Sequence, residues 1–220
     1  MVRRSLLRYL LPAFLLLLGA QRANADPITY TFQGSATGSI GSTSFTNSAF
    51  TITLTADSSA ISEFTLSCKK SSCTILDVPA TSATVTVDGL TTTITSPIGV
   101  FDNQTMSMLG LSRISGPGAG GINLDLLDLS NPEFGTYNLT NPMGPMGPFT
   151  LGSLAEFNCN SGCVTTDLGN LTFTSASGVM FTDPGSGSIA TPEPATPLLL
   201  AVGALFILGL RRFARANPRA

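Results

Sequence analysis

Hydrophobic and polar residues alternate through most of the middle of the chain. Threonines separate Ile28, Tyr30 and Phe32, and the same pattern returns at residues 50–55. Successive side chains of a strand point to opposite faces, so this alternation predicts strands with one buried apolar face and one exposed polar face. Strands are predicted at residues 28–32, 50–55, 63–67, 74–78, 84–88, 90–95, 105–112, 122–127, 136–140, 171–175 and 179–182.

Turn-forming residues separate these segments and indicate the fold class. Asp88-Gly89 lies between two of the predicted strands, and this dipeptide is typical of a two-residue hairpin turn. Residues 123–129 could form a helical turn or a strand, and we favour the strand. Residues 115–121 are expected to be flexible or tightly turned, since most of them tolerate a positive φ. Residues 141–148, with a doubled Pro-Met-Gly step, are expected to form an extended surface loop. Roughly ten short strands of this kind predict an all-β fold, an antiparallel β-sandwich.

Charge is distributed unevenly along the chain. Four of the eleven basic residues precede residue 26 and four follow residue 210, which leaves Lys69, Lys70 and Arg113 between them. Residues 26–190 hold twelve acidic and three basic residues, a net charge of −9. This balance excludes a basic nucleic-acid-binding surface on the body of the protein. The chain also has no histidine, which excludes catalytic schemes that depend on imidazole.

The first 25 residues have the features of a secretory signal peptide. A basic start is followed by an apolar run of about a dozen residues. Ala23 and Ala25 then supply the small residues that signal peptidase accepts, and Asp26 is the expected first residue after cleavage. We therefore expect export through the inner membrane.

The C-terminal segment combines three features in a fixed order. Pro192, Glu193 and Pro194 precede an apolar run at 198–210, and a basic cluster follows it: Arg211, Arg212 and Arg215. A membrane helix is predicted at 195–210, with the arginines on the cytoplasmic side. The 13-residue apolar run would span only about 20 Å as a helix, less than the roughly 30 Å of a hydrocarbon core. This length favours transient over permanent anchoring.

These features resemble the PEP-CTERM sorting signal of bacterial exported proteins, also catalogued as an ice-binding-protein C-terminal domain. The resemblance covers about the last 30 residues, 191–219, and rests on Pro192-Glu193-Pro194, the short helix and the arginine cluster. It implies that an exosortase-type membrane protease recognises and removes the tail. The protein would then pass to the cell surface or the extracellular matrix, in a setting of exopolysaccharide and biofilm.

Four cysteines form two close pairs, Cys68 with Cys73 and Cys159 with Cys163. An exported chain meets oxidising conditions, so disulfides are expected, and four cysteines allow three connectivities. We favour the two local bridges. A four-cysteine zinc site is the alternative, but its spacings are loose and export disfavours free thiolates.

The remaining polar residues give no clear catalytic pattern. Asp125, Asp128 and Glu133, with Asn123 and Asn131, could supply oxygen ligands to calcium, but the spacing matches no EF-hand and a solvated acidic edge is the favoured interpretation. No G-x-S-x-G elbow is present, so we predict no catalytic residues, no metal and no cofactor. Threonines at 51–55 and 91–95 share strand faces, yet no fixed repeat indicates that these faces stack in register.

The sequence therefore predicts four regions: a signal peptide at 1–25, a β-sandwich domain at 26–183, a Gly/Ser linker at 184–190 and the sorting signal at 191–219. The expected function is that of a non-enzymatic exported protein, structural or adhesive in the envelope or matrix. Its expected partners are signal peptidase, the sorting protease, the inner membrane for a time, and exopolysaccharide. A secreted carboxylate-dependent hydrolase and a carbohydrate-binding module are the alternatives.

Overall fold

The computed structural model describes residues 26–68, 71–114, 122–149, 151 and 163–185. The predicted signal peptide with Ala23 and Ala25, the linker beyond residue 185, and the sorting signal with Pro192, Glu193, Pro194, Arg211, Arg212 and Arg215 lie outside these residues. Within the described ranges, no helix is long and apolar enough to cross a membrane.

The described residues form eleven strands and two short 3-10 helices. The strands are β1 (Pro27–Ile40), β2 (Thr43–Asp57), β3 (Ser62–Cys68), β4 (Ser71–Val87), β5 (Leu90–Thr93), β6 (Ile98–Asn103), β7 (Met108–Ile114), β8 (Ile122–Ser130), β9 (Met143–Phe149), β10 (Val164–Thr166) and β11 (Gly169–Asp183). The helices are η1 (Ser58–Ala60) and η2 (Pro132–Thr136). The all-β body is thus confirmed.

The strands form one antiparallel sheet with two parts that share β4. The long-strand part contains β9, β10, β11, β1, β2, residues 80–87 of β4, and β5. The short-strand part contains β3, residues 71–79 of β4, β6, β7 and β8. An antiparallel bridge between Ile94 and Thr166 links the strands at the two ends of the long-strand part. The sheet is therefore nearly closed.

Several strands are longer than the alternation predicted. β1, β2, β4 and β11 have 14, 15, 17 and 15 residues. The predicted segments 74–78 and 84–88 belong to the same strand, because Pro79 fits within it opposite Gly99 without interrupting it. The segments 171–175 and 179–182 likewise belong to β11, in which Gly178 adopts a φ of +61°.

Two predicted segments differ in kind from what the structure shows. The prediction of a strand at 136–140 is wrong, because the first of these residues, Thr136, is the last residue of a 3-10 helix and no strand follows it there. The Asn131 side chain accepts a hydrogen bond from the Glu133 amide at 2.9 Å, and Pro132 follows it, which are helix-starting features. The extended surface loop predicted at 141–148 is largely exposed, as expected, but it is not a loop, since residues 143–149 pair with β11 as strand β9.

The remaining segments agree more closely with the pattern. The hairpin at Asp88-Gly89 is confirmed, with φ values of +51° and +81° that suit the two central positions of a type I′ turn. Residues 122–130 form strand β8, as favoured over a helical turn. The strand predicted at 105–112 begins only at Met108, because the residues before it form a turn in which Ser107 has a φ of +52°.

One hydrophobic cluster includes buried residues of both parts of the sheet. Phe181 of β11 lies at its aromatic centre, with ring centroids 5.1 Å from Phe32, 6.1 Å from Phe134, 6.1 Å from Tyr137 and 6.5 Å from Tyr30. Phe134 belongs to η2, so this short helix is held to the sheet by its aromatic side chain. The cluster anchors the long strands whose opposite faces carry the polar residues described next.

Candidate functional site

The exposed side of the long-strand part consists mainly of threonines. Along β1, β2 and residues 80–87 of β4, apolar side chains that point into the core alternate with side chains that point outward, and most of the latter are threonines. Because neighbouring strands pair residue to residue, these threonines lie next to each other across the strands. We call this surface the threonine face and define it by three rows.

The register of the strands fixes the members of each row. The first row runs across five strands through Thr182, Thr31, Thr53, Thr84 and Thr93. The second runs across the same strands through Met180, Gln33, Thr51, Thr86 and Thr91. The third crosses three strands through Thr29, Thr55 and Ser82. Ten of these thirteen positions are threonine, and none is charged.

This arrangement makes a grid of hydroxyl groups. Rows in a sheet repeat about every 4.8 Å across the strands and about every 6.7 Å along a strand. Each hydroxyl can donate one hydrogen bond and accept two. Thr86 and Thr91 already hydrogen-bond to each other through their Oγ1 atoms, 2.8 Å apart. The other hydroxyls of the grid that are exposed offer donors and acceptors to a ligand that carries hydroxyl groups itself.

The grid adds an alignment that the sequence pattern does not contain. The threonines at 51–55 and 91–95 are predicted to lie on exposed strand faces, but no fixed repeat indicates register between them. The structure brings them into register through β4, which pairs with β2 on one edge and with β5 on the other. A strand sequence shows which residues share its own face, but only the pairing of several strands shows that their faces align.

A second feature is a set of buried carboxyl groups that the sequence did not indicate. Asp102 of β6 is fully buried, and neither of its carboxyl oxygens has a hydrogen-bond partner among the described residues. It lies directly opposite Leu76 and Leu109, on the face that belongs to the core. Burial raises the pKa of Asp102 to about 8. This side chain is therefore protonated and neutral over much of the neutral pH range.

Asp77 lies on the other face of the short-strand part. Its Oδ1 atom accepts a hydrogen bond from the Ser112 hydroxyl at 3.4 Å, and both side chains are buried. Gly99 is opposite Ser112 in the sheet and carries no side chain, which leaves room for this contact across β6. Burial raises the pKa of Asp77 to about 6, although the hydrogen bond from Ser112 acts in the opposite direction.

Asp183 ends β11 and forms a third buried carboxyl site. Its Oδ2 atom accepts a short hydrogen bond from the Tyr137 hydroxyl, and its Oδ1 atom accepts one from the Gly185 amide at 2.7 Å. Burial is the largest cause that raises the pKa of Asp183, while the two hydrogen bonds lower it. Burial, followed by the hydrogen bond to Asp183, raises the pKa of Tyr137. The sequence signal for this site is weak, since an aspartate before a proline is common at the end of a strand.

The structure contains one of the two local disulfides in full. Cys68 and Cys73 are bonded, which links β3 to β4, as the favoured connectivity predicts. Cys163 is also disulfide-bonded, and its predicted partner Cys159 lies outside the described residues. A zinc site needs free thiolates, and these three cysteines are oxidised.

The residues considered for calcium have separate roles where the structure describes them. Asn131 caps η2 through its side chain, Glu133 is exposed in that helix, and Asp128 is buried on β8. The side chain of Asp125 is not among those described. Within the described ranges, no group of three or more aspartate, glutamate, cysteine or histidine side chains could hold a metal ion.

Asp26, the expected first residue after signal-peptide cleavage, is exposed just before β1.

No protein-family model, no curated protein and no solved structure matches the chain.

Proposed function

We propose that this chain is a non-enzymatic exported protein of the cell surface or extracellular matrix, and that its threonine face adheres to neutral, hydroxyl-rich polysaccharide. The observation that carries the proposal is the uncharged grid of ten threonines across five paired strands. The body that presents this grid is best described as a β-sandwich, since its two sheet parts share β4 and bury residues in one cluster.

Two features of the sequence support export and sorting. The basic and apolar start with Ala23 and Ala25 favours cleavage by signal peptidase before Asp26. The resemblance of residues 191–219 to the PEP-CTERM signal favours a membrane-bound intermediate and processing by an exosortase-type protease. Both features favour a location of the β body outside the inner membrane, in the setting for which the resemblance implies exopolysaccharide.

The chemistry of the threonine face favours a neutral polymer. The body carries a net charge of −9, so anionic polysaccharides would be repelled. None of the thirteen grid positions is aromatic, so the stacking of sugar rings on aromatic side chains cannot supply the affinity. Each hydroxyl contact is weak, and useful affinity requires many contacts along one polymer chain.

The shape of the sheet also favours a flexible polymer over a flat crystalline surface. Adjacent strands rotate by roughly 20–25° relative to each other, and this sheet is nearly closed. The five strands of the grid therefore cannot all meet one plane. A polysaccharide chain can follow a single row, such as the one through Thr31, Thr53 and Thr84.

Binding to polysaccharide beads tests the proposal. The purified full chain in detergent would be mixed with cross-linked dextran, a neutral polymer, and with alginate, an anionic one. We expect it to sediment with dextran and not with alginate. The double variant Thr84→Val/Thr93→Val removes two exposed, adjacent hydroxyls and keeps the β-branched shape, so binding to dextran should fall roughly tenfold.

The matched control is Thr46→Val/Thr65→Val, which removes two equally exposed hydroxyls outside the grid. This control should bind dextran as the unmodified chain does. Equal loss in both double variants, or no binding to dextran by any form, would contradict the proposed ligand.

Sorting is tested separately in the native host. Cells would be fractionated, and the C-terminal peptide of the mature protein determined by mass spectrometry. We expect a surface or matrix form that lacks the arginine cluster. Recovery only of intact protein ending at Ala220, in the inner membrane, would reject the sorting signal.

A further inference from the structure

The chain contains two Asp-Pro peptide bonds, and they enclose the β body. Asp26-Pro27 precedes β1, and Asp183-Pro184 follows β11. The bond between aspartate and proline is the peptide bond most readily hydrolysed in mild acid, because the proline nitrogen is comparatively basic and the aspartate carboxyl can attack its own carbonyl. The two bonds have the same chemistry but very different surroundings.

The fold holds the carboxyl of Asp183 next to its own peptide bond. The hydrogen bond from the Gly185 amide to Oδ1, at 2.7 Å, closes a ring that contains the bond between residues 183 and 184. The Tyr137 hydroxyl fixes the other carboxyl oxygen. Asp183 is only 1% exposed, whereas Pro184 is exposed to water. Gly185 adopts a φ of +83°, and a Cβ at this position would lie 3.0 Å from the Pro142 side chain, so this turn packs closely against Pro142.

We propose that Asp183 cleaves its own peptide bond to Pro184, so that the folded body releases residues 184–220 without a protease. The inference goes beyond the proposed adhesion and does not depend on it. The released piece carries the predicted linker and sorting signal, and the body that remains ends with the last residue of β11.

The reaction needs only water as a second reactant. Oδ1 of Asp183 attacks the main-chain carbonyl carbon of the same residue and forms a five-membered cyclic anhydride. The bond from that carbon to the Pro184 nitrogen breaks, and the nitrogen leaves as a secondary amine with the proton that the carboxyl brought. Water then opens the anhydride, which returns the side-chain carboxyl and leaves a new α-carboxyl on Asp183. The net change is hydrolysis of one peptide bond.

Two features of the site favour this reaction. The ring closed by Gly185 orients the attacking oxygen, and an oriented intramolecular nucleophile reacts faster than a freely rotating one. Burial raises the pKa of Asp183, so more of its carboxyl carries the required proton at mildly acidic pH. The charge of Asp183 in turn raises the pKa of Tyr30 and of Tyr137, so both phenols are neutral at mildly acidic pH. Tyr137 acts as a positioning residue through its hydroxyl.

Asp26-Pro27 serves as a control within the same molecule. Asp26 is exposed at the start of the described body, and its main-chain carbonyl accepts a hydrogen bond from the Ser58 amide at 3.2 Å. Among the described residues, no backbone amide closes a ring on the Asp26 carboxyl of the kind that surrounds Asp183. A fold-assisted reaction should therefore cleave after residue 183 and spare the bond after residue 26.

The test incubates the purified full chain in detergent with broad protease inhibitors at mildly acidic pH, about 4 to 5. Mass spectrometry would follow the fragment that begins at Pro184. We expect its rate of appearance to exceed that of cleavage at Asp26-Pro27 by roughly tenfold or more. In urea at the same pH, the two rates should become similar, because the fold no longer orients Asp183.

Variants separate chemistry from positioning. Asp183→Asn cannot form the anhydride and should abolish cleavage at this bond only. Tyr137→Phe should slow it several-fold while circular dichroism shows an intact fold. Equal cleavage rates at the two Asp-Pro bonds of the folded chain would overturn the proposal. A cleavage rate after residue 183 that urea leaves unchanged would also overturn it. Both rates are measured on the unmodified chain, so they do not depend on whether a variant folds.

Discussion

The two parts of the sheet share strand β4 and yet place their polar residues in opposite ways. Along residues 80–87 of β4, buried Ala83, Val85 and Val87 alternate with threonines and serine that face outward. Along residues 71–79 this alternation is lost: five of the seven positions from 73 to 79 are buried, and the four residues from Ile75 to Val78 are buried in succession. Strand β4 therefore passes from residues with one exposed face to residues that are buried on both faces.

This difference explains where polar chemistry is available to a ligand. In the long-strand part, the polar residues are uncharged hydroxyls on the exposed face. In residues 71–79 of β4 and in β6 of the short-strand part, they include carboxyl groups removed from water, and burial raises the pKa of both Asp77 and Asp102. The first part is suited to contact with a hydroxylated ligand, while the acids of the second part affect stability and its dependence on pH.

Loss of a core aromatic residue should have the largest effect, and it should be greater in the long-strand part. Phe181→Ala removes a ring that contacts four other aromatic rings, and we expect a loss of about 4–5 kcal/mol in the free energy of unfolding. Phe101→Ala affects a smaller cluster with Cys73 and Ile75 and should cost less, about 3 kcal/mol. Urea denaturation measures both. A greater loss for Phe101→Ala would reverse the comparison.

Asp102 should make the protein less stable as the pH rises. Its pKa in the folded state, about 8, is above the ordinary value of 3.8, so its stabilising contribution is complete below about pH 4 and is lost as the pH rises toward 8. In that range, one such group lowers stability by up to roughly 1.4 kcal/mol per pH unit. Asp102→Asn cannot ionise and should remove this slope.

The measurement is the urea midpoint of unfolding, determined for the unmodified chain and for Asp102→Asn from about pH 4 to pH 8. Asp77 and Asp183 contribute to both curves, so the difference between the curves isolates Asp102. Curves that remain parallel over the whole range would show that Asp102 is not held neutral by the fold.

Removal of the Cys68–Cys73 disulfide should have a smaller effect. The bridge joins residues five apart in the chain, so it restricts the unfolded state only slightly. We expect Cys68→Ala/Cys73→Ala to lose about 2 kcal/mol, and the hairpin of β3 with β4 to lose hydrogen-exchange protection before the long strands do. Simultaneous loss of protection in both parts would show that the hairpin is not a separate unit of stability.

Alternation allowed most strands of both parts to be predicted, and the missed strands are β6 in the short-strand part and β9 and β10 in the long-strand part. Alternation identifies strands that have one exposed face, as in β1 and β2. Strand β6 was missed because all six of its residues are buried, which leaves no polar face to produce a period of two. Strand β9 was missed for another reason: its Met-Gly-Pro steps place a core-packed residue at every third position, at Met143, Met146 and Phe149, and not at every second one.

The candidate sites depend on contacts that no local pattern contains. The threonines were visible as strand residues, but their alignment arises from the pairing of β1, β2, β4, β5 and β11. Tyr137 and Asp183 are 46 residues apart in the chain and meet only because both lie against the same core. Close packing against β11 explains why residues 144 and 147 are glycines. A Cβ at these positions would lie 2.5 Å and 2.6 Å, respectively, from carbonyl oxygens of β11.

The most direct test of the threonine face is a residue-by-residue map of contact with the polymer. The full chain in detergent, with its threonine methyl groups labelled for NMR, would be titrated with soluble dextran. We predict that methyl signals of the grid shift, including Thr53, Thr84 and Thr93, while those of Thr46 and Thr65 stay unchanged. Shifts confined to threonines outside the grid, or no shifts at saturating dextran, would contradict the account.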